Sequence, residues 1–441
     1  MKMLTPAPCF LLLACFLPAA ASGADAGAPG GVAGFRQTIG EDSWGRLRTR
    51  LMAVNRDIAQ KGILPLPGGT VPLLTGYAYH EFYDWDLYFE NLYLSGYGIS
   101  DYCFTNLQVF LSRQRPDGFV SRTLLRPRPT QMFKPFLAQV AVLGSRQRGD
   151  DFEWLRAADY AALGRYLDRW FAYDADGNGL PVWDSADASG MDNQVSRAGA
   201  LHTFQDEGVD LACYLHRELE AMALIAGKLG KTDDQRNFQA RADALARKIN
   251  AVFWDEQDGF YYDRNEKTGQ LTRVKTVTGF TPLWAGIASP EQARRLVQEH
   301  LTNPKEFWLK YPVATYAASE PDYYQGRRTV ECNWRGPAWV PTNYMIFHGL
   351  LRYGYQAVAR ELAYRTFRMA LDENPATREF YDSDTGKGNG MNPFWGWSAL
   401  AYVMPLEYET GADPTDLNRE IKPLAGVALD LPGPRPGAPA P

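Results

Sequence analysis

Cysteine is scarce in this chain, and an excess of basic charge is missing. The 441 residues include five cysteines, of which Cys9 and Cys15 lie in an apolar leader. Cys103, Cys213 and Cys332 remain, enough for at most one internal disulfide and without a metal-ligand spacing, so stability must come mainly from a core. A formal net charge of -5 offers no broad basic face for nucleic acid. Five histidines, His80 and His202 among them, show no ligand spacing, and no glycine-rich phosphate loop opens a helix after a strand. Metal, nucleotide and redox cofactors are therefore not expected. Past the leader, no stretch is long and apolar enough to cross a bilayer.

Aromatic residues, by contrast, are plentiful, at 13% of the chain with 12 Trp. Most belong in a core, so only those beside polar loop residues bear on function. The leader reads as a signal peptide over 1–24. Lys2 supplies the positive start, Phe10 to Leu17 the apolar run, and Ala19-Ala20-Ala21 and Ser22-Gly23-Ala24 the small-residue cleavage sites. A periplasmic or secreted protein is expected. Leu12-Leu13-Ala14-Cys15 is a poor lipoprotein site, because Leu13 is too bulky and the run before it too short.

Helical periodicity fills the rest. Phe238, Ala242, Leu245, Ile249 and Val252 recur at the spacing of one helical face over 232–254, with Thr232 and Gln235 set as a capping box. Val209, Leu215, Leu219, Met222 and Ile225 do the same over 206–229, and the short turn at 227–231 joins the two into an αα-hairpin. The pattern predicts further helices over 41–60, 86–113, 131–147, 152–173, 276–287, 290–301, 337–353, 355–373 and 396–409. A succession of hairpins with Asp-, Gly- and aromatic-rich loops suggests a closed ring of helices forming one domain over 25–410. The tail at 411–441, rich in Pro, Gly and Ala from Gly426 onward, is expected to stay off the core.

The loops concentrate the chemistry. Asp192, in Ser189-Gly190-Met191-Asp192-Asn193, and Glu379, in Arg378-Glu379-Phe380-Tyr381, sit far apart in sequence, both in polar, glycine-containing loops near tryptophans. Two carboxyls on opposite sides of a glycosidic bond divide the work of hydrolysis into an acid role and a base role. Local chemistry does not choose the acid among Asp184, Asp187 and Asp192, since each also suits an Asx turn. In His80-Glu81-Phe82-Tyr83-Asp84-Trp85-Asp86, Trp85 could stack on a sugar ring and Asp86 accept its hydroxyls, or Asp86 could cap the following helix. Arg122, Lys134 and Gln139 could touch substrate or only pair on the surface. In Asn333-Trp334-Arg335-Gly336-Pro337-Ala338-Trp339, Arg335 could pair with a site carboxylate or with an anionic group on the substrate, and Trp339 or Trp397 could form a sugar wall. Asp174-x-Asp176-x-Asn178-Gly179 resembles the start of a calcium loop, but its twelfth position is Ser185 where a bidentate Glu is wanted, so an Asx-rich turn is the better reading.

Taken in order, Phe82-Tyr83-Asp84-Trp85-Asp86, Ser189-Gly190-Met191-Asp192-Asn193, Trp334-Arg335-Gly336-Pro337-Ala338-Trp339 and Glu379 with Trp397-Ser398-Ala399-Leu400 resemble glycoside hydrolase family 63. The likeness is greatest to its compact bacterial members similar to mannosylglycerate and glucosylglycerate hydrolases, and it spans roughly 75 to 405. It implies an all-α (α/α)6 toroid of six helical hairpins that hydrolyses an α-glycosidic bond with inversion and needs no cofactor. By position it implies Asp192 as general acid and Glu379 as general base. It also implies that Trp85 and Asp86 hold the sugar in the cleaved position and that Arg335 and Trp339 belong to the loop lining the pocket; Tyr83, Gln139 and Trp397 complete the set of expected substrate-binding residues. Trehalases share the architecture, but this chain has Asn-Trp-Arg-Gly-Pro-Ala-Trp where they carry a Gln-Trp-Asp-x-Pro-Asn-Gly-Trp arrangement, so trehalase is the second reading. Export favours an external α-glucoside or oligosaccharide over an internal compatible solute. Two other readings are a toroid that binds carbohydrate without cleaving it, which would have lost a carboxylate, and a polysaccharide lyase, which would release an unsaturated product.

Overall fold

The computed structural model of the protein describes residues 31–76, 81–197, 206–326, 332–424 and 433–436. The leader, His80, His202 and most of 426–441 lie outside the described residues. In chain order the helices are α1 (Gly31–Ile39), α2 (Glu41–Asp57), α3 (Asp84–Ser95), α4 (Asp101–Ser112), α5 (Leu137–Arg146), α6 (Ala157–Phe171) and the single turn α7 (Ala186–Ser189). They continue with α8 (Val209–Lys228), α9 (Thr232–Val252), α10 (Thr281–Ala285), α11 (Pro290–Arg295), α12 (Val340–Arg352), α13 (Gln356–Asp372) and α14 (Leu400–Thr410).

Six of them close a ring. Helix α3 packs on α5, α5 on α8, α8 on α10, α10 on α12, α12 on α14, and α14 returns to α3. Between successive ring members the chain passes through α4, α6, α9, α11 and α13, with α2 ahead of α3, so inner and outer helices alternate as the (α/α)6 toroid requires. Burial separates the two layers. Every residue of α3 and of α5 is buried, whereas α9 buries only Phe238, Ala242, Leu245 and Ile249. An inner helix is surrounded by protein and is apolar or satisfied all round, while an outer helix needs a single stripe. Each large side chain in such a stripe contributes about 1.5–3 kcal/mol on burial.

The structure corrects three expectations. The helix expected over 86–113 is two helices, because Gly98 takes φ +67 and the Ile99 N–H returns to the Leu94 carbonyl at 3.1 Å, a turn that glycine makes without penalty. No capping box forms at Thr232, since α9 is preceded by Lys231 without a side-chain cap. The box occurs instead at α11, where Ser289 Oγ accepts from Gln292 N–H at 3.2 Å and Gln292 Oε1 from Ser289 N–H at 2.8 Å. Nor does the chain leave the core at 411. Thr415, Leu417, Ile421 and Leu424 are buried, and Arg146 donates to the Leu417 carbonyl at 2.7 Å.

Strands occur as short antiparallel pairs: β1 (Ile63–Pro65) with β2 (Pro72–Leu74), β3 (Asp206–Glu207) with β6 (Arg264–Asn265), β4 (Trp254–Asp255) with β5 (Phe260–Tyr261), and β7 (Phe380–Tyr381) with β8 (Gly388–Asn389). Among the described residues, Cys103, Cys213 and Cys332 form no disulfide. Among the described residues no helix is long and apolar enough to cross a membrane.

Candidate active site

The N-terminal ends of α3, α12 and α14 converge. Tyr83, Trp85 and Asp86 stand at the start of α3, Trp339 immediately before α12, and Trp397 in the helical turn leading into α14. Where they meet is a cavity of about 130 Å³, smaller than the roughly 300–1,000 Å³ of drug-sized sites and suited to one small polar ring. Asp192 and Glu379, nearly two hundred residues apart, both line it, together with Arg122, Arg128, Asp187, Gly190, Cys332 and Trp334.

Its aromatic wall is continuous. Trp334 stacks on Trp339 with centroids 3.9 Å apart, Trp339 stacks on Phe380 at 4.8 Å, and Trp85 meets Trp397 edge-on at 5.9 Å. Two of the indoles are fixed by a polar anchor as well as by packing. Trp339 Nε1 donates to the Asn333 carbonyl at 2.8 Å, and Trp397 Nε1 to the carbonyl of Glu379 itself at 3.2 Å.

Glu379 begins the β7–β8 hairpin, its N–H donating to the Asn389 carbonyl at 3.2 Å. Its carboxylate is oriented from two sides: Oε2 accepts the Met391 N–H at 2.9 Å and Oε1 the Cys332 thiol at 3.5 Å. Gly390, at φ +73, lies under this carboxylate where a Cβ would collide with it. Asp192 follows α7, which stops at Gly190 (φ +82), where a Cβ would come within 2.9 Å of the Trp85 ring. Asn193 ties that loop to the aromatic wall by accepting the Trp334 N–H at 2.7 Å.

Electrostatics separate the three acids that local sequence leaves equivalent. Asp184 is pushed up to about 6 by burial, but it does not line the cavity. Asp187 lines it, and burial tends to raise it, yet Arg122 and the Gln131 amide outweigh burial and hold it below the ordinary carboxylate range. Asp192 is pushed up to about 7, first by burial and then by the negative charge of Asp187, against the pull of Arg122 and Lys134 and with a further push from Glu379. Of the three, Asp192 alone combines a place in the cavity with a proton held near neutrality. Beneath it, Lys134 Nζ meets buried Asp84 at 2.9 Å and sits 5.0 Å from the Trp85 ring centre.

Tyr83, Trp85, Asp86, Trp339 and Trp397 share the cavity with the two carboxylates. Gln139 and Arg335 do not. Gln139 is buried between α5 and α8, donating to the Pro135 carbonyl at 2.9 Å and accepting from Arg217 at 3.1 Å. Arg335 Nε donates to the Asn193 carbonyl at 2.6 Å, so it braces the loop that carries Asp192. Sequence reasoning misses Arg128 and Cys332. Arg128 stands in a proline-punctuated basic loop and Cys332 just ahead of the Asn333–Trp339 motif, and neither carries a signal that sets it apart. Asp174, Asp176 and Glu266 bring carboxylate oxygens within 4.8 Å of one another, but each already accepts from this turn or its neighbours: Asp174 from Gly179 N–H, Asp176 from Asn178 and Arg264, Glu266 from Ala175 N–H.

Comparison with known proteins adds to the geometry. Residues 79–398 match the family described as the mannosylglycerate hydrolase MGH1-like glycoside hydrolase domain. The cytosolic neutral trehalase of Kluyveromyces lactis is 28% identical over 428 residues, covering 76% of this chain and 56% of the relative. The mannosylglycerate hydrolase of Thermus thermophilus is 36% identical over 151 residues, covering 34% of this chain and 33% of the relative. The chain thus spans about half the length of the first of these curated relatives and a third of the second. Among solved structures, the family 63 mannosylglycerate hydrolase of Thermus thermophilus in complex with glucose superposes with a TM-score of 0.63 at 21% identity, covering 81% of this chain and 99% of that one. At that identity the likeness is one of fold, the helical toroid.

Proposed function

This chain belongs to the MGH1-like glycoside hydrolases of family 63, and from that premise we propose that it is an exported enzyme hydrolysing an α-glycosidic bond, that of an α-glucoside, with inversion. The observation that carries the reading is the pair Asp192 and Glu379 in one tryptophan-walled cavity, with the proton of Asp192 held near neutrality. Asp192 gives that proton to the leaving oxygen as the bond to the anomeric carbon breaks. Glu379, oriented by the Met391 N–H, takes a proton from the water that attacks the opposite face. Inversion needs room for this water, a carboxyl separation of roughly 6.5–9.5 Å once substrate is bound. Trp85, Trp339 and Trp397 offer apolar edges and faces to the C–H groups of the ring, and Asp86 a carboxylate to its hydroxyls.

The leader supports export, and with it a substrate met outside the cytoplasm. Trehalase is the second reading, favoured by the trehalase alignment over 76% of this chain. Proton NMR of the purified protein with trehalose, kojibiose, nigerose, maltose, glucosylglycerate and mannosylglycerate tests both readings. Initial release of a β-anomer from one glucoside, absent in Asp192→Asn and Glu379→Gln, is expected. Release of the sugar from the cleaved position as its α-anomer would overturn inversion; trehalose, whose leaving glucose departs as the α-anomer in any case, should give equal amounts of the two anomers, and turnover in either variant would overturn the assignment of roles.

A further inference from the structure

Asp187 is a further carboxylate on the cavity wall beside Asp86, Asp192 and Glu379, five residues before Asp192 and on the far side of the Gly190 turn. It is not a loose surface acid. Gln131 Nε2 donates to its Oδ2 at 2.5 Å, Arg122 Nη1 lies 3.7 Å from its Oδ1, and the same guanidinium donates to its backbone carbonyl at 2.5 Å. Arg122 is in turn drawn toward buried Asp84, 4.0 Å away, which also neutralises Lys134. Arg122 and Lys134 are therefore shared among carboxylates, while Asp187, on the wall of the same cavity as Asp192, keeps its negative charge.

We propose that Asp187 is a positioning residue for the reaction, a clamped anion whose charge keeps the proton on Asp192 until a leaving group arrives and draws one back after turnover. This rests on the acid role given to Asp192 above. In each cycle Asp192 loses one proton to the leaving oxygen and Glu379 gains one from water. The resting state returns when Glu379 releases its proton to solvent and Asp192 takes one up. Two facing anions, Asp187 and deprotonated Asp192, make that uptake favourable. The charged groups acting on Asp192 most strongly are Asp187, Arg122, Lys134 and Glu379, and Asp86 and Arg128 share the cavity with it. Asp187 opposes the two cations, and neutralising it also frees Arg122 to act on Asp192, so both consequences of its loss have the same sign. With a half-exposed carboxylate the interaction is screened, and the displacement expected is roughly half a unit to one unit of pH.

The test is the pH dependence of kcat/KM on whichever glycoside the NMR panel identifies. Asp187→Asn should move the basic limb to lower pH by that amount, Asp187→Glu should leave it in place, and Arg122→Gln should move it the other way. Carboxyl carbon NMR gives a readout independent of turnover: the resonance lost in Asp192→Asn should titrate lower in Asp187→Asn than in the wild type. An unmoved limb with only KM raised would make Asp187 an ordinary substrate contact and overturn the inference, as would displacements of one sign in Asp187→Asn and Arg122→Gln. Failure of the underlying reading looks different, because Asp192→Asn would then retain turnover.

Discussion

At the scale of single residues the cavity trades stability for a proton. A carboxyl in water loses its proton near pH 3.9, whereas Asp192, walled in by protein and facing Asp187, holds it to about 7. The folded state therefore binds this proton more tightly than the unfolded chain between pH 4 and 7, and Asp192 costs stability progressively as pH rises through that window. Three units at about 1.36 kcal/mol each give an upper bound of about 4 kcal/mol, reduced because the cavity opens to solvent. Asp192→Asn should thus be inactive yet more stable than the wild type at pH 8, with the difference vanishing at pH 4. Urea denaturation at the two pH values checks this, and equal stabilities at pH 8 would contradict the burial that raises Asp192. The residues around each carboxyl narrow the acid to three candidates and no further. What separates Asp184, Asp187 and Asp192 is which of them meets a cavity and which meets Arg122, and those are contacts to residues more than fifty positions away.

At the scale of elements, the loop that presents Arg122 and Arg128 to the cavity depends on one buried carboxylate. Glu81 Oε1 accepts the N–H groups of Phe82, Leu124 and Leu125 at 2.8, 3.2 and 3.0 Å, and Oε2 accepts that of Arg126 at 3.0 Å. Hydrogen bonds to a charged acceptor contribute about 1.5–3 kcal/mol each, so removing Glu81 should release the 122–128 loop from the start of α3. Glu81→Ala is expected to cost a few kcal/mol and to lower kcat/KM at least tenfold, with amide exchange at Leu124, Leu125 and Arg126 accelerated above that of the helices. Unchanged exchange there would show the loop to be held by something else.

The same scale shows why some elements are legible in the sequence and others are not. Outer helices announce themselves through a stripe, as Phe238, Ala242, Leu245 and Ile249 do. Inner helix α3 is buried on every side, so the apolar signal runs on through Gly96 and Gly98 and conceals the break before α4. Gln139 passes for a ligand of the substrate because a buried polar residue in an inner helix reads the same from sequence whether it serves the cavity or, as here, the packing of α5 on α8.

At the scale of the whole molecule, a ring of helices has two ends, and the cavity lies at one of them. The other is crossed by the segment from Gly411 to Leu424. Arg146 of α5 donates to the Leu417 carbonyl, Arg217 of α8 to the Thr415 carbonyl, and His348 of α12 stands between Glu407 of α14 at 3.0 Å and Asp413 at 3.1 Å. Four inner helices are thereby tied through one strap. Pro, Gly and Ala begin in earnest only beyond it, which is why composition suggests a tail where the chain is still closing the ring. Burial tends to lower His348, but Asp413 and Glu407 outweigh it and raise it to about 9, while Asp413 is held well below the ordinary carboxylate range by the same pairing. The His348 contribution is thus fully present below its unfolded value near 6.5 and is lost as pH rises through about 9, and that of Asp413 is lost as pH falls below its unfolded value near 3.9. Leaving His348 short of one buried partner by Asp413→Asn should cost about 3 kcal/mol at pH 7, and it should flatten the decline in stability that the wild type shows between pH 7 and 9. Because none of these bonds involves a cavity-lining residue, the folded fraction of this variant should turn over substrate at the wild-type rate. Thermal melts across that pH range, paired with activity at low temperature, separate the two effects; a variant that loses turnover while its melting temperature stays put would mean that the closed end of the toroid acts on the site and does not merely hold the ring together.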